Sequence, residues 1–291
     1  MAAALERPPL QVSRTSADPQ QILGEYDAAI TRGAMVVVGP LTRAAVTALA
    51  SSDLVRVPTL ALNLPDGNPA LPRGMYTFGL SAEHEARLVA RIAFSERMRE
   101  AVVVQAATPL ARRAAQAFGS EWFMLGGRLL TVLEFGVRTD LAQLRRQLGK
   151  IAPDLIFLAA SAQHARTVRP YLASQVPVFA TSQIWSGASE PLANVDLNGV
   201  RFVEMPWLVQ PDHPAVMVYP RVGNLGGELQ RFYALGIDAC RLSLELLMRR
   251  DHITLDGVTG KISLGGSPVV EREPVQAVIR DGAGTVLGDR H

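Results

Sequence analysis

The chain has a single cysteine, Cys240, in 291 residues. An internal disulfide framework and a cysteine-built metal site are therefore excluded. Cys240 falls in a stretch of helical spacing and reads as a small apolar residue. Lysine is nearly absent: Lys150 and Lys261 are the only two among 29 basic residues. The arginines are spread along the chain and the formal net charge is only +2, which argues against a nucleic-acid groove. No apolar run approaches the roughly 18 residues that a membrane span needs. The opening MAAALERPPLQ lacks the charged-then-apolar order of a secretory leader. If the protein is exported, its targeting segment is expected outside this chain. No long polar tract suggests disorder, and 48% hydrophobic residues supply material for a sizeable core.

What is present is alternation. The length suits about two domains of roughly 100–200 residues each. Met35–Val38 and Val57–Asn63 read as buried parallel strands, with helical spacing over residues 41–50 between them. A short strand is expected at Phe78–Leu80. Ser81 then reads as the N-cap of a helix reaching about Arg99, with Glu83 and Glu85 in its first turn. The pattern restarts with strand Ala101–Gln105 and helix Pro109–Leu125, which Gly126-Gly127 should end. Strand Arg128–Phe135, helix Asp140–Leu148, strand Asp154–Ala160, helix Ala162–Ala173 and strand Val176–Ala180 follow. Residues 183–198 read as a loop, Val200–Met205 as a strand, and about Glu228 to Arg250 as the longest helix. The tail reads as short strands at Ile262–Leu264, Val275–Ile279 and Thr285–Leu287. Such β-α alternation predicts an α/β fold with parallel sheets flanked by helices.

Searches for reaction chemistry return little. There is no G-x-S-x-G elbow and no P-loop. Gly282, Gly284 and Gly288 lack dinucleotide-binding spacing. Ser161 and His164 follow a strand, but they read as a cap and an exposed first-turn residue rather than a nucleophile and its base. Glu83-His84-Glu85 and the isolated loop pair Asp212-His213 read as solvated surface; in the first, neighbouring helical residues diverge by about 100° and cannot converge on one ion. Neither a catalytic residue, a metal nor a cofactor is expected.

One feature remains. Several strands end in small polar residues: Thr42, Asn63, Thr108, Ser161 with Gln163, and Thr181 with Ser182. Ligands of open α/β sheets sit beyond the carboxyl ends of the strands. Hydroxyls, amides and helix N-termini there suit a small polar molecule. Ordinary helix capping is the competing explanation. Trp185, just after this last pair, and Trp207, ending a strand, are added as groups that could stack on a ligand or anchor a partner; for Trp207 a buried plug is the favoured alternative.

The stretches VVVGPLTRAAVTALA (36–50), LALN (60–63), FGLSAEHEAR (78–87) and FGSEWFMLGGRLLTVLEFG (118–136) resemble the LppC/LpoA family of penicillin-binding protein activators. VRPYL (168–172), ATSQ (180–183), LNGVRFVEMPWL (197–208), YALGIDACRL (233–242) and DGVTGKISLGG (256–266) do so as well, in order along the chain. The resemblance implies a two-lobed, type I periplasmic-binding-protein-like fold. It also implies a non-enzymatic regulator in the periplasm, associated with the outer membrane, whose partner is a class A penicillin-binding protein that polymerises and crosslinks peptidoglycan. The family's lipobox cysteine and N-terminal helical-repeat domain are not in this sequence, so membrane association is expected only through a lipid anchor absent from this chain. The other reading is a solute receptor for transport or sensing, with a small polar ligand between the lobes. Lobe one is expected to hold residues 1–80 and 206–270, and lobe two 81–205 and 271–291. Leu10–Val12 is taken as the first strand-like run, and MAAALE as the end of a helix, so the first β-α unit of lobe one is expected to be missing.

Overall fold

The computed structural model describes residues 10–16, 18–67, 69–172, 175–188, 191–223, 225–250 and 252–288. The chain divides into two compact units: residues 1–79, 241–251 and 266–270 form one, and 80–240, 252–265 and 271–291 the other. The reading of MAAALE falls outside the described residues.

The first unit begins with α1 (Pro19–Thr31), β1 (Val37–Val38), α2 (Arg43–Ala50), β2 (Thr59–Ala61) and β3 (Met75–Thr77). The strands form a parallel sheet in the order β1-β2-β3. Helix α1 was not anticipated. Asp18 caps it by accepting from the Gln20 N–H, and Pro19 stands in its first turn, where proline costs no hydrogen bond. Leu23, Tyr26 and Ile30, three and four residues apart, turn one side toward the core that Val46, Leu49, Ala61 and Met75 complete. The Tyr26 hydroxyl meets Thr59 Oγ1 at 2.6 Å. Leu10–Val12 is not a strand: Leu10 is 88% exposed and Val12 78%. A three-residue run without a pairing partner cannot satisfy its backbone in a sheet. The expected strand at Phe78–Leu80 lies earlier, at Met75–Thr77, where it pairs with β2.

The second unit runs through α3 (Ala82–Ser95), β4 (Glu100–Ala106), α4 (Pro109–Met124), β5 (Arg128–Phe135), α5 (Leu141–Leu148), β6 (Leu155–Ala159), α6 (Ala162–Val168) and β7 (Val178–Ala180). Then come α7 (Pro191–Asn194), β8 (Arg201–Glu204), α8 (Pro206–Val209), α9 (Pro214–Met217) and α10 (Gly227–Leu247). The tail forms β9 (Ile253–Asp256), β10 (Lys261–Leu264), β11 (Glu271–Glu273), β12 (Val275–Arg280) and β13 (Ala283–Val286). A seven-stranded sheet has the order β13-β12-β8-β7-β6-β4-β5. Its β5-β4-β6-β7-β8 part is parallel, and β12 and β13 are added antiparallel. Val37–Val38 and Leu155–Ala159 thus lie in different sheets.

Strand β6 is wholly apolar and β4 is buried over residues 101–104; each lies between two parallel neighbours, and such strands are covered on both faces. Trp122, Phe118 and Phe157 stack in sequence against it, at 5.5 and 4.2 Å between ring centroids. Gly126, at φ +91°, ends α4 as expected, and a Cβ on Gly127 would lie 2.4 Å from the Trp122 indole. A separate antiparallel sheet, β11-β10-β9, was only partly anticipated. Residues 206–270 are expected together in one lobe, whereas the boundary between the two units passes through helix α10 at Cys240/Arg241. Among the described residues no helix is long and apolar enough to cross a membrane.

Candidate functional site

Two buried ion pairs join the carboxyl ends of the second unit's sheet to the elements around them. Glu204, the last residue of β8, is 0% exposed, and Arg231 of α10 lies against it. The Arg231 Nε sits 3.2 Å from both carboxylate oxygens, and its Nη2 donates to the same carboxylate. That Nη2 also donates to the carbonyls of Ser182, at 3.1 Å, and Trp185, at 2.9 Å. On the other side of the same turn, the Ser182 N–H donates to Glu85 Oε2 at 2.9 Å. Arg272 of β11 donates to Glu85 Oε1 at 2.7 Å and to the Thr259 carbonyl at 3.2 Å. Asp238, also buried, accepts from the Val258 and Thr259 N–H groups and the Thr259 hydroxyl.

The loop after β7, residues 181–185, is therefore held by a carboxylate at one amide and a guanidinium at two carbonyls. Burial pushes the Glu204 carboxyl up, and the facing Arg231 charge opposes that shift. Buried ion pairs of this kind add little net stability, but they restrict the arrangements a loop can take.

The residues expected at the strand ends divide into three kinds. Thr108, Ser161 and Thr42 stand at the N-caps of α4, α6 and α2. Thr108 Oγ1 accepts from the Ala111 N–H at 3.2 Å. Ser161 Oγ caps His164 and also meets its Nδ1 at 2.8 Å. This is a local serine-histidine contact within one exposed turn. Asn63, in the first unit, bridges the Leu41 carbonyl and the Leu64 N–H. Ser161, Gln163 and Thr42 are exposed, whereas Thr181 and Ser182 are buried. The third kind are the indoles. Trp185 is 2% exposed, lies 5.8 Å from the Phe202 ring, and donates its Nε1–H to the Gly282 carbonyl. Trp207 is buried against Tyr233, with the Arg221 guanidinium 4.3 Å from its ring centroid. Ser161, Gln163, Thr181 and Ser182 lie just beyond neighbouring strands β6 and β7; Thr42 and Asn63 belong to the other unit.

Glu83-His84-Glu85 is not the solvated run expected. Glu83 pairs with Arg113 at 2.8 Å, and Glu85 is 4% exposed within the buried network. The network's members were missed by the motif search. A usable signal existed at Arg231: it lies three, four and seven residues before Ala234, Leu235 and Asp238, all buried, so helical spacing turns it inward. Among the described residues no three His, Cys, Asp or Glu side chains converge as a metal would require.

His84 offers a pH test. Burial, and then the Arg272 charge, hold its imidazole below the ordinary histidine range, with Glu85 opposing. As pH falls, the unfolded chain takes up this proton before the folded one. The histidine's contribution is thus complete above its ordinary pKa and lost as pH drops through the depressed folded value. Urea midpoints between about pH 8 and pH 5 should decline less in His84→Gln than in the parent. Parallel declines would show that His84 is not a source of the slope.

Comparison with known proteins gives the family. The model described as "LppC putative lipoprotein" matches residues 2–153 and 143–282. The penicillin-binding protein activator LpoA of Photobacterium profundum is 25% identical over 283 residues, 84% of this chain and 46% of that protein. That of Haemophilus influenzae is 27% identical over 289 residues, 94% of this chain and 49% of that protein. The chain spans about half the length of the curated relatives it matches. Among solved structures, the Haemophilus influenzae LpoA C-domain, described as a regulator of PBP1A, superposes with a TM-score of 0.77 at 23% identity, covering 92% of this chain and 86% of that one. A Chromobacterium violaceum protein described as "a putative branched-chain amino acid ABC transporter" gives a TM-score of 0.75 at 37% identity, covering 88% and 84%. The fold is α/β and periplasmic-binding-protein-like, and the chain belongs to the LppC family.

Proposed function

We propose that this chain is the binding-protein-like part of a non-enzymatic regulator of peptidoglycan synthesis. In this reading it activates a class A penicillin-binding protein in the periplasm, from the outer-membrane side, as part of a lipid-anchored protein. The family match along residues 2–282 carries the reading, since relatives sharing it bear the name of penicillin-binding protein activators. The geometry supports it: the Thr108 and Ser161 hydroxyls cap helices, and the buried charged groups around the strand ends are spent on holding a loop. Such groups suit a shaped surface better than acid-base work, which needs a proton-transfer pair in reach of a substrate.

The test is reconstitution. Glycan-chain polymerisation by the cognate class A synthase should rise saturably as purified chain is added, and the two should co-sediment. An unchanged rate and no complex would sink the proposal for this part of the protein.

The similarity to the Chromobacterium violaceum protein favours a second reading, a receptor for a small polar solute. There the exposed Ser161 and Gln163 would contact the ligand, with Thr42, Asn63, Thr108, Thr181 and Ser182 as further candidates. Native mass spectrometry of freshly purified protein separates the two. A stoichiometric small molecule lost on Ser161→Ala with Gln163→Ala would support the receptor.

A further inference from the structure

Helix α10 carries an apolar stripe that its own fold leaves uncovered. Leu229 is 57% exposed, Phe232 41%, Leu244 39% and Met248 63%. Gly236 and Cys240 are exposed between them, and no other residue from 229 to 248 is. From Phe232 onward the positions recur every four residues, so they line one face. Met248 lies in the turn after the helix, and its N–H still bonds the Leu244 carbonyl. The line from Phe232 to Met248 rises about 24 Å at ~1.5 Å per residue. Unlike a usual exposed helix face, it holds no charge.

We propose that this face receives a second copy of the chain, with the two α10 helices packed antiparallel about Cys240. Two features of the stripe select that occupant. The first is size. Gly236 and Leu244 are equally far from Cys240 on opposite sides. An antiparallel pair with Cys240 at the two-fold axis sets each Leu244 on the other copy's Gly236, and each Phe232 on the other's Met248. A Cβ at Gly236 would meet nothing within 4 Å, so the depression there is open to a leucine. The second is charge. The exposed Glu228 precedes the stripe, and the exposed Arg249 and Arg250 follow it; Arg250 also holds Glu245 of its own helix at 2.6 Å. Antiparallel docking brings Glu228 within a turn of the other copy's arginines at both ends, as a two-fold interface requires. Parallel docking would set like charges together. The stripe is narrow, well short of the roughly 800 Å² per partner of a stable complex, so the dimer forms reversibly at high protein concentration.

Sedimentation equilibrium over a concentration series of the whole chain tests this, together with a short bismaleimide crosslinker. Cys240 is the one cysteine in the sequence, so every thiol crosslink between copies reports its position. The expected result is a dimer fraction that rises with concentration and a crosslinked dimer of the parent. Gly236→Leu fills the depression in open space and replaces a poor helix former with a good one, so its melting curve should be unimpaired. Its dimerisation should be about tenfold weaker or more. Glu228→Arg should weaken the dimer, and Arg249→Glu with Arg250→Glu added to it should restore it. A parent monomeric throughout with no crosslink overturns the proposal. So does a Gly236→Leu variant that dimerises like the parent, or a Glu228→Arg variant that dimerises more tightly. If the parent is monomeric and Gly236→Leu loses synthase stimulation, the face belongs to the synthase instead.

Discussion

Arg231→Met destabilises the protein by about 3–5 kcal/mol, the loss expected when one partner of a buried ion pair is removed. The guanidinium lies between Glu204, at 0% exposure, and two backbone carbonyls of the loop after β7. Methionine keeps much of the side-chain volume but none of the donors. The Glu204 carboxylate is then left in the interior with its Met205 N–H contact and no countercharge. The carbonyls of Ser182 and Trp185 lose the same donor. The penalty should shrink as pH falls, because an unpaired buried carboxylate relieves its desolvation by taking up a proton. Adding Glu204→Leu to Arg231→Met should recover most of the loss, since an apolar pair carries no buried charge. Urea denaturation of the two single variants and the double variant closes the cycle. A single-variant loss under about 1 kcal/mol, within the range of exposed pairs, would mean that water reaches this network in solution.

Trp185→Ala should cost about 3–5 kcal/mol, as large-to-small changes in a packed core do. The indole touches Phe202, and its far edge lies where a Cβ on Gly284 would come within 3.2 Å of it. Its Nε1–H also satisfies the Gly282 carbonyl, which alanine leaves without that donor. Trp185→Phe should lose less, keeping most of the packing while forfeiting about 1 kcal/mol for the hydrogen bond. The comparison bears on function, because a tryptophan beside the strand ends also suits a ligand platform. If Trp185→Ala leaves the unfolding midpoint unchanged but abolishes binding of a partner or solute, the indole works at the surface and its buried position is not the one used.

Much of the second unit's framework was legible in the residues. β5 spans Arg128–Phe135 as expected, and β4 and β6 differ from expectation only at their ends. Long apolar runs ended by turn residues are a local signal, and both sheet faces being covered makes that signal strong. Ser81, Thr108 and Ser161 were likewise readable as caps, because a cap bonds the chain within a few residues of itself. The illegible parts have the opposite character. Helix α1 mixes apolar and polar residues too evenly to stand out until Leu23, Tyr26 and Ile30 are seen facing the same core. The run Leu10–Val12 looks like a strand because two apolar residues flanking Gln11 alternate as a strand does, and alternation cannot show whether a partner strand exists.

By itself, then, the sequence determined the α/β class, most strand and helix positions in the second unit, the local caps and the kinship with the LppC family, since each depends on neighbours along the chain or on residue order. The tertiary structure alone decided which charged groups are spent on holding the strand-end loop. Glu85 meets Arg272 across 187 residues, and Glu204 meets Arg231 across 27. No spacing rule encodes such pairs. A charge is buried only where folding brings its partner within hydrogen-bonding distance, so Glu85 looked solvated in sequence and is internal in space.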